Sequence, residues 1–358
     1  MASISYIKSA PSVYTPTQVV QWLKAIGYPE TVGSSPDELA TQLDEKKFPT
    51  TLETLTLVSR LHLMAFPFEN LDMHYSPKHQ LDVTAEGNFR RMVVERKGSY
   101  CYGKNGLLLE MLRGLGYRTY AGQGRVNGLM MTDAPPKYST IQHMVLFVQP
   151  SEGDKTTYLV DAGFGGGGLV RPILLAEDAV VLGTTPTEKH RLKRGPHPES
   201  VLGKLKPPSS SIELSITPST IEDPAALSWR LEVQRDRKDP SAPPAPWRAL
   251  FTFSETEYFQ SDFELSSFYV STHPDGSPFL QNVLCVKYFY VDDRKEDLGL
   301  MFLYRDEVKQ HTGTTSQEVA KIKTEEERIQ KIREFYGIDI DDAAIEHIRG
   351  RPGELKDA

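Results

Sequence analysis

The sequence predicts an α+β fold in which a helical region precedes a region of strands. Apolar side chains recur at helical spacing in the first hundred positions, whereas from about residue 117 the segments are short and rich in β-branched and aromatic residues. The last third adds further strands and one helix. With 358 residues, 39% of them hydrophobic and 25% charged, the chain can bury two or three packed subdomains.

The helical region is predicted from its caps and its apolar spacing. Thr15 can cap a helix that begins at Pro16, and Gly27 can end it. The apolar positions between them are Val19, Trp22, Leu23 and Ile26. The segment SSPDELATQL offers a second cap, and residues 51–65 place Leu52, Leu55 and Leu63 on one stripe. These features predict a helical bundle.

The strands are predicted from runs bounded by Gly, Pro and Asp. The first runs are RTYAGQGRVNGLM, HMVLFVQ and TYLVDAGF, and the later ones are WRLEVQ, RALFTF, FLQNVLCVKYF and LGLMFLYR. Between about 195 and 250 the Pro and Ser content rises, which is typical of long surface loops inserted into a domain. Thr324 and Glu327 have capping-box spacing, and Gly337 can end the helix that they start.

Composition excludes several classes of function. A net charge of −7 gives no global basic field for nucleic acid, and no run approaches the roughly 18 to 20 apolar residues of a membrane span. The first residues lack the apolar core of a signal peptide. Two distant cysteines make neither a metal knuckle nor a disulfide framework. We therefore expect a cytoplasmic protein without a metal site.

Cys101 lies where an irregular, glycine-flanked segment becomes a leucine-rich helix. At the first turn of a helix, unpaired N–H groups and the helix dipole stabilise an anion, so this position favours a thiolate. The competing interpretation is a small buried hydrophobic residue, which is the usual role of a cysteine beside leucines. Cys285 lies inside an apolar, strand-like run, and we assign it to packing.

A cysteine nucleophile needs a base and a third group that orients the base. Of nine histidines, His143 opens a predicted strand, and the next predicted strand ends at Asp161. A hairpin bend near residue 152 would set these two residues opposite each other, within hydrogen-bonding reach. A slip of one residue would reverse the faces, so a surface histidine near a hairpin-end aspartate is the alternative. His190 falls in a polar, loop-like stretch.

Five segments resemble, in the same order, those of the arylamine N-acetyltransferase family. They are FPFENLDMH (66–74), RKGSYCYGKN (96–105), KYSTIQHMVLFV (137–148), YLVDAGFG (158–165) and YVSTHPDGSPF (269–279). The resemblance implies a helical bundle at 1–100, a β-barrel at 101–225 and an α/β lid at 226–358, with a cysteine-protease-like triad at the junction of the first two.

The resemblance also implies residue roles. Cys101 would be the nucleophile, His143 its base and Asp161 the orienting acid. The matched positions for acceptor binding are Phe68, Val126 and Phe164, and those for coenzyme A are Thr140, Tyr269 and Ser277. Core packing is the alternative for the apolar residues, and ordinary turn or strand hydroxyls for the polar ones. We interpret the stretch DAGFGGGG as a flexible turn, since it lacks GxxxxGK[ST].

The segment around the cysteine departs from the family pattern. The family usually has Arg-Gly-Gly before the cysteine, where this chain has Lys97, Gly98 and Ser99. Two residues after the cysteine the family often carries Glu or Gln, and this chain has Gly103. These differences put the local salt bridges, and not the triad, in question.

The implied activity is ping-pong acyl transfer. Acetyl-CoA, or another acyl-CoA, would acylate Cys101 as a cosubstrate, with no permanently bound cofactor, and an arylamine, hydrazine or arylhydroxylamine would take the acyl group. The expected partners are small molecules, and we expect neither nucleic acid nor membrane. The sequence does not determine the oligomeric state. It also does not distinguish among acetyl, propionyl and malonyl donors. A donor with a terminal carboxylate needs a cation or hydroxyl nearby, and Arg125 and Lys104 are candidates.

Two other functions use the same residues. A cysteine hydrolase or transglutaminase-like enzyme has the same triad chemistry. A retained fold that only binds a ligand is the non-enzymatic alternative, and the presence of all three triad residue types argues against it.

Overall fold

The α+β class is confirmed by a computed structural model of the chain. The structure describes residues 6–150, 155–201, 227–237, 239, 241–243, 245–273 and 278–355. Across these ranges a helical N-terminal part is followed by an eight-stranded sheet and by a five-stranded sheet with its own helices. None of the helices in the described part combines the length and the apolar character needed to cross a membrane.

Helices form the N-terminal part. They are α1 (Pro16–Ala25), α2 (Tyr28–Val32), α3 (Pro36–Asp44), α4 (Leu52–Ala65), α5 (Asp72–Tyr75), α6 (Ala85–Asn88) with a π-helical turn (Phe89–Val94) after it, and α7 (Cys101–Leu115), while the short strand β1 (Phe68–Glu69) lies between α4 and α5. As predicted, Thr15 caps α1 in a capping box with Gln18. The predicted stripe of α4 is buried at Leu55 and Leu63 and partly exposed at Leu52.

The eight-stranded sheet curls into a nearly closed barrel. Its strands are β2 (Arg118–Asn127), β3 (Tyr138–Gln149), β4 (Tyr158–Val160), β5 (Ile173–Leu174), β6 (Val180–Leu182), β7 (Glu188–Pro196), β8 (Leu227–Arg235) and β9 (Arg248–Phe253). They are antiparallel in the order β5-β4-β3-β2-β9-β8-β7-β6, and the edge strands β5 and β6 are near each other. The sheet takes strands from both sides of residue 225, and the division at 100 and 225 stays a prediction.

The hairpin of β3 and β4 differs from the predicted one. Val148 pairs with Tyr158 and Leu146 with Val160, which is two residues away from the predicted pairing of 143 with 161. A shift by two residues keeps every side chain on the same face of the sheet. His143 and Asp161 therefore still lie on one face, as predicted. In addition, β3 begins at Tyr138, so His143 lies inside the strand and does not open it.

The second sheet joins the helical part to the C-terminal part. It has the order β1-β10-β11-β12-β13, with β10 (Leu284–Tyr290), β11 (Leu298–Tyr304), β12 (Glu307–Thr312) and β13 (Thr315–Lys321). Around it lie α8 (Gln260–Thr272), α9 (Pro278–Gln281), α10 (Glu325–Tyr336) and a 3₁₀ turn (Asp342–His347). Thr324 caps α10 and Gly337 ends it in a left-handed conformation, as predicted.

Candidate active site

Cys101 is the first residue of α7, so the sequence placed it correctly at the start of a helix. It is 3% exposed, and its Sγ lies 3.8 Å from the carbonyl oxygen of Gln142 in β3. The loop after β4 crosses directly over it: a Cβ added to Gly163 would lie 2.8 Å from the Cys101 Cα. Only glycine allows this approach, so the loop forms a close roof over the cysteine.

His143 and Asp161 form a buried hydrogen-bonded pair. The His143 Nε2 lies 2.8 Å from the Asp161 Oδ2. The other carboxylate oxygen accepts hydrogen bonds from the Asn105 side-chain amide and from the Gly163 N–H, both at 2.9 Å. Asn105 lies four residues after Cys101 on the same face of α7, and this spacing is the signal by which it could have been found. The carboxylate is therefore held on three sides.

The charges of this pair depend on each other. Burial disfavours the imidazolium, but the charge of the Asp161 carboxylate and the hydrogen bonds that His143 makes with Asp161 and Cys101 outweigh burial and raise the pKa of His143 to about 10. Burial likewise opposes the carboxylate, yet the attraction of His143 keeps the pKa of Asp161 below its usual value. Because Nε2 is bound to Asp161, Nδ1 is the ring nitrogen left for the thiol.

Aromatic side chains surround the imidazole. The Phe164 ring meets the His143 ring edge-on at 5.2 Å between centroids, and the Phe251 ring lies 4.8 Å from it. Val126 is the cross-strand partner of Phe251 and shares its face of the barrel sheet. The structure thus brings Phe164 to the imidazole and places Val126 on the same face of the sheet as Phe251. Sequence reasoning missed Phe251, because the strand RALFTF carries no motif.

Phe68 lies on the other side of the loop that carries Phe164. A Cβ added to Gly165 would come 3.1 Å from the Phe68 ring, and Phe279 meets the same ring edge-on at 5.8 Å. Phe68 therefore packs against the loop that carries Phe164.

The structure does not bring the three predicted coenzyme A contacts together at one place. Thr140 is exposed on β3 and lines a cavity of about 670 Å³. Tyr269 stacks on His273 at the end of α8, with ring centroids 4.7 Å apart, and not on a triad side chain. Ser277 lies outside the described residues.

The glycine-rich loop is fixed by hydrogen bonds, contrary to the flexible turn predicted from its composition. The Tyr288 hydroxyl donates to the Gly165 carbonyl at 2.6 Å and accepts from the Gly167 N–H at 3.3 Å. The His190 Nε2 lies 3.0 Å from the Gly167 carbonyl. His190 is buried in β7 and not in a polar loop; burial outweighs nearby Glu188 and lowers the pKa of His190, so a neutral ring donates this bond.

The ion pair beside the nucleophile segment comes from an unexpected arginine. Lys97, at the family's arginine position, lies near the surface 3.3 Å from Glu95. The buried Arg91 of the π-helical turn instead pairs with Glu69 and donates to the Gly98 carbonyl, each at 2.5 Å, and it also contacts Asp72. Arg91 thus anchors the backbone that leads into Cys101. The π-helical turn that presents it had no recognisable sequence signal.

Ser99 and Gly103 are complementary in size. A Cβ added to Gly103 would overlap the Ser99 side chain, so a Glu or Gln cannot occupy position 103 while a serine occupies position 99. The two departures from the family pattern therefore depend on each other: the larger side chain at position 99 requires the glycine at position 103.

Lys104 does not face the sulfur of Cys101. Its Nζ donates to the carbonyls of Leu63, at 3.3 Å, and Phe66 at the end of α4. Burial lowers the pKa of Lys104 to about 7, against the opposing attraction of nearby acids. Its contacts stabilise the α4 terminus, which removes it as the cation for a substrate carboxylate.

Comparison with known proteins identifies the family. A family model described as N-acetyltransferase matches residues 51–345. The chain belongs to the arylamine N-acetyltransferase family. It is 28% identical over 353 residues to the N-malonyltransferase FDB2 of Fusarium pseudograminearum (strain CS3096), covering 97% of this chain and 94% of that protein. It is 29% identical over 306 residues to the arylamine N-acetyltransferase of Mycolicibacterium smegmatis, covering 86% and 92%.

Solved structures of the arylamine N-acetyltransferase family share the fold. A substituted form of the Mycobacterium smegmatis enzyme aligns with a TM-score of 0.66 and 26% identity over 95% of this chain and 99% of that one. The Mycobacterium marinum enzyme, solved in complex with CoA, aligns with a TM-score of 0.64 and 24% identity over 92% and 97%. This chain is therefore an acyltransferase of the arylamine N-acetyltransferase family.

Proposed function

We propose that this protein transfers an acyl group from acyl-CoA to the nitrogen of arylamines, hydrazines or arylhydroxylamines through a thioester on Cys101. The observation that carries the proposal is the buried row formed by Cys101 at the start of α7, His143 in β3 and Asp161 just after β4. Such a row supplies a nucleophile, a base and an orienting acid. The family to which the chain belongs supports the same conclusion.

The first half-reaction acylates the cysteine. His143, whose raised pKa favours the imidazolium, holds the proton of the Cys101 thiol, and the sulfur of Cys101 attacks the thioester carbonyl of acyl-CoA to form a tetrahedral oxyanion. Its collapse breaks the bond to the CoA sulfur, and CoA leaves with a proton from the imidazolium. Asp161 stabilises the imidazolium and holds its tautomer.

The second half-reaction uses the same groups in the opposite direction. The amine nitrogen attacks the acyl carbon, His143 takes the proton that the amine loses, and the sulfur of Cys101 departs as the amide forms. The proton then returns to restore the starting pair of groups, so atoms and charges balance over the cycle.

An aromatic acceptor fits the space around the imidazole. Phe164 and Phe251 lie against the imidazole, Phe68 packs on the loop that carries Phe164, and Val126 is the strand partner of Phe251. Arylamines are uncharged at neutral pH, so an apolar, aromatic pocket suits them. We assign acceptor binding to these residues.

Acyl-CoA is a cosubstrate in this scheme and not a resident cofactor. We keep Thr140, Tyr269 and Ser277 as proposed coenzyme A contacts, by their matching positions. The CoA complex of the Mycobacterium marinum relative supports an acyl-CoA donor for this chain. The proposed location is the cytoplasm, where acyl-CoA is made and used.

Hydrolysis by the same triad is the competing reaction. Cys101 is 3% exposed and lies under Gly163, which restricts the access of water to a thioester there. Transfer to an amine that binds among the aromatic side chains is therefore favoured over transfer to water.

The thioester gives a direct test. Intact mass spectrometry after mixing with acetyl-CoA or malonyl-CoA, without an amine, should show one added acyl group that disappears when an arylamine is added. Cys101→Ser should show no labile adduct, while Cys285→Ser, the matched control at a buried cysteine in β10, should behave like the wild type. Normal turnover of an amine without any adduct would exclude the thioester route.

A further inference from the structure

A polar cavity of about 670 Å³ lies along β2, β3 and β9, close in sequence to the triad residue His143. Its wall includes Gly124, which pairs with His143 across β2 and β3, and Ile141, the neighbour of Gln142. The Gln142 carbonyl is the group that lies 3.8 Å from the Cys101 Sγ. The cavity therefore begins one residue away from the groups that surround the reacting sulfur.

Arg125 lines this cavity on the face of the sheet that carries α7. Along β2, Ala121 packs in the apolar cluster that contains the leucines of α7, and Gln123 meets Ser266 of α8. The register between β2 and β3 shifts on either side of Arg125, but β2 pairs with β9 without a shift at Arg125 and its two neighbours. Side chains along β2 therefore keep alternating, and Arg125 lies on the same face as Ala121 and Gln123. Cys101, at the first turn of α7, lies over that face as well. The guanidinium and the sulfur thus share one side of the sheet.

The guanidinium has no acidic partner among the described residues, although it is partly buried. One of its N–H groups donates to the Ser139 carbonyl at 3.3 Å, which leaves most of its five donors available. Four other arginines of the barrel are ion-paired: Arg191 and Arg230 with Glu232, Arg235 with Glu188, and Arg248 with Asp133. Arg125 differs from them in having no ion pair within the described part of the chain, although Glu199 contributes to the wall of the same cavity.

We propose that Arg125 forms a carboxylate-binding subsite beside Cys101 that binds a carboxylate carried by one of the two substrates. A guanidinium matches a carboxylate with two parallel hydrogen bonds, which are strong when partly shielded from water. The inference rests on the proposed function, because it needs a substrate whose reacting carbon or nitrogen lies at Cys101.

The acyl donor is the favoured source of the carboxylate. In a malonyl thioester the carboxylate is attached one methylene beyond the carbonyl that Cys101 attacks, so it stays close to the sulfur. Arg125 lies on the face opposite to that of Phe251, which borders the aromatic acceptor space. Similarity to a protein named N-malonyltransferase points to the same donor. An arylamine with a ring carboxylate offers the same chemistry from the acceptor side.

Single-turnover acylation of Cys101 tests the subsite on the donor side. Wild type, Arg125→Gln and Arg125→Lys are mixed with malonyl-CoA or acetyl-CoA, and thioester formation is followed by intact mass. Arg125→Gln should slow malonylation relative to acetylation by roughly 10- to 100-fold, with Arg125→Lys between it and the wild type. Arg248→Gln, on β9 and outside the cavity wall, should leave both rates unchanged.

The acceptor side is tested with the acylated enzyme. Transfer from the same thioester to aniline and to 4-aminobenzoate is compared in wild type and Arg125→Gln. A selective loss for 4-aminobenzoate, with unchanged donor preference, would support the subsite and assign the carboxylate to the acceptor. Ratios within about twofold of the wild type in both arms, in a variant with an unchanged circular dichroism spectrum, would overturn the subsite. Absence of a thioester from every donor would instead overturn the proposed function.

Discussion

Asp161 is the single side chain on which the charges of the site depend. It is buried, and its only cationic neighbour at hydrogen-bonding distance among the described residues is the imidazole of His143. Its hydrogen bonds from Asn105 and Gly163 would persist with a neutral amide of the same shape, but the attraction to an imidazolium would not. The charge and the geometry of this residue can therefore be separated by one substitution.

Asp161→Asn should preserve the fold and slow acylation of Cys101 by a factor on the order of 10² to 10⁴, because the imidazolium loses its counter-charge and its tautomer is no longer held. Stopped-flow or quenched acylation by acyl-CoA measures this. Asp178→Asn is the control, since Asp178 is exposed on the barrel and pairs with Lys193. Acylation of the Asp161 variant within a few-fold of the wild type, with an unchanged circular dichroism spectrum, would contradict the triad.

The same variant should change how stability depends on pH. The pKa of His143 is raised to about 10 from an ordinary value of about 6.5, so its pairing contributes fully below pH 6.5 and is lost as the pH rises through 10. The free energy of unfolding of the wild type, relative to Asp161→Asn, should therefore fall between these two pH values. Urea titrations of both proteins at several pH values measure this difference, and a constant difference would contradict the raised pKa.

At the scale of elements, the glycine-rich loop is clamped between the two sheets. Tyr288 reaches it from β10 of the second sheet, and His190 reaches it from β7 of the barrel. The loop places Gly163 over the cysteine and Phe164 against His143. Its position therefore depends on side chains from two elements that are distant in sequence.

Tyr288→Phe should raise KM for an arylamine by roughly 3- to 10-fold and leave thioester formation near the wild-type rate, because the lost hydroxyl holds the Phe164 loop and none of the triad. Tyr304→Phe, on the neighbouring strand β11 and well exposed, is the control. Equal slowing of acylation and transfer would mean that the clamp positions the triad as well as the acceptor pocket.

Helix caps and helix starts could be predicted from the sequence, because they depend only on residues that are close together in the chain. The caps at Thr15 and Thr324 and the cysteine at the start of α7 follow from neighbouring residues alone. The register of β3 and β4 was wrong by two residues because the bend could not be located, and the pairing of His143 with Asp161 survived because side chains alternate with period two.

Residues whose roles depend on packing between distant parts of the chain could not be predicted from the sequence. Because charged residues flank His190, the sequence predicts that it lies in a loop. It is buried instead, because β7 forms part of the barrel wall. Arg91 and Phe251 reach the site from segments without a motif, through a π-helical turn and a barrel strand. Contacts of this kind depend on the tertiary arrangement, which no local pattern encodes.

At the scale of the whole molecule, the C-terminal part docks on the helical part through a buried polar network. The Tyr75 hydroxyl donates to Glu325 at 2.7 Å, and Arg328 lies 3.3 Å from Glu325. Arg328 also donates to the Gly353 carbonyl at 3.0 Å, so α10 holds the last described residues in place. The network connects α5, which follows β1, with the end of the chain.

Arg328→Ala should lower the free energy of unfolding by about 3 to 5 kcal/mol, because it leaves the buried Glu325 carboxylate without its cation. Urea unfolding followed by circular dichroism measures it. Lys331→Ala, one turn further along α10 and partly exposed to solvent, should cost less than about 1 kcal/mol. Equal effects of the two substitutions would show that the network contributes no more than a surface ion pair.

The short outer strands of the two sheets have a consequence for the behaviour of the protein at high concentration. Within the described residues, three of the four sheet edges are only two or three residues long: β1, β5 and β6. The fourth, β13, has seven residues and carries Glu318 and Lys321. Unpaired backbone groups in long, uncharged edges are the templates on which chains add to one another as fibrils. A chain with so little free edge offers few starting points for such growth, even though most of its strands belong to one extended antiparallel sheet.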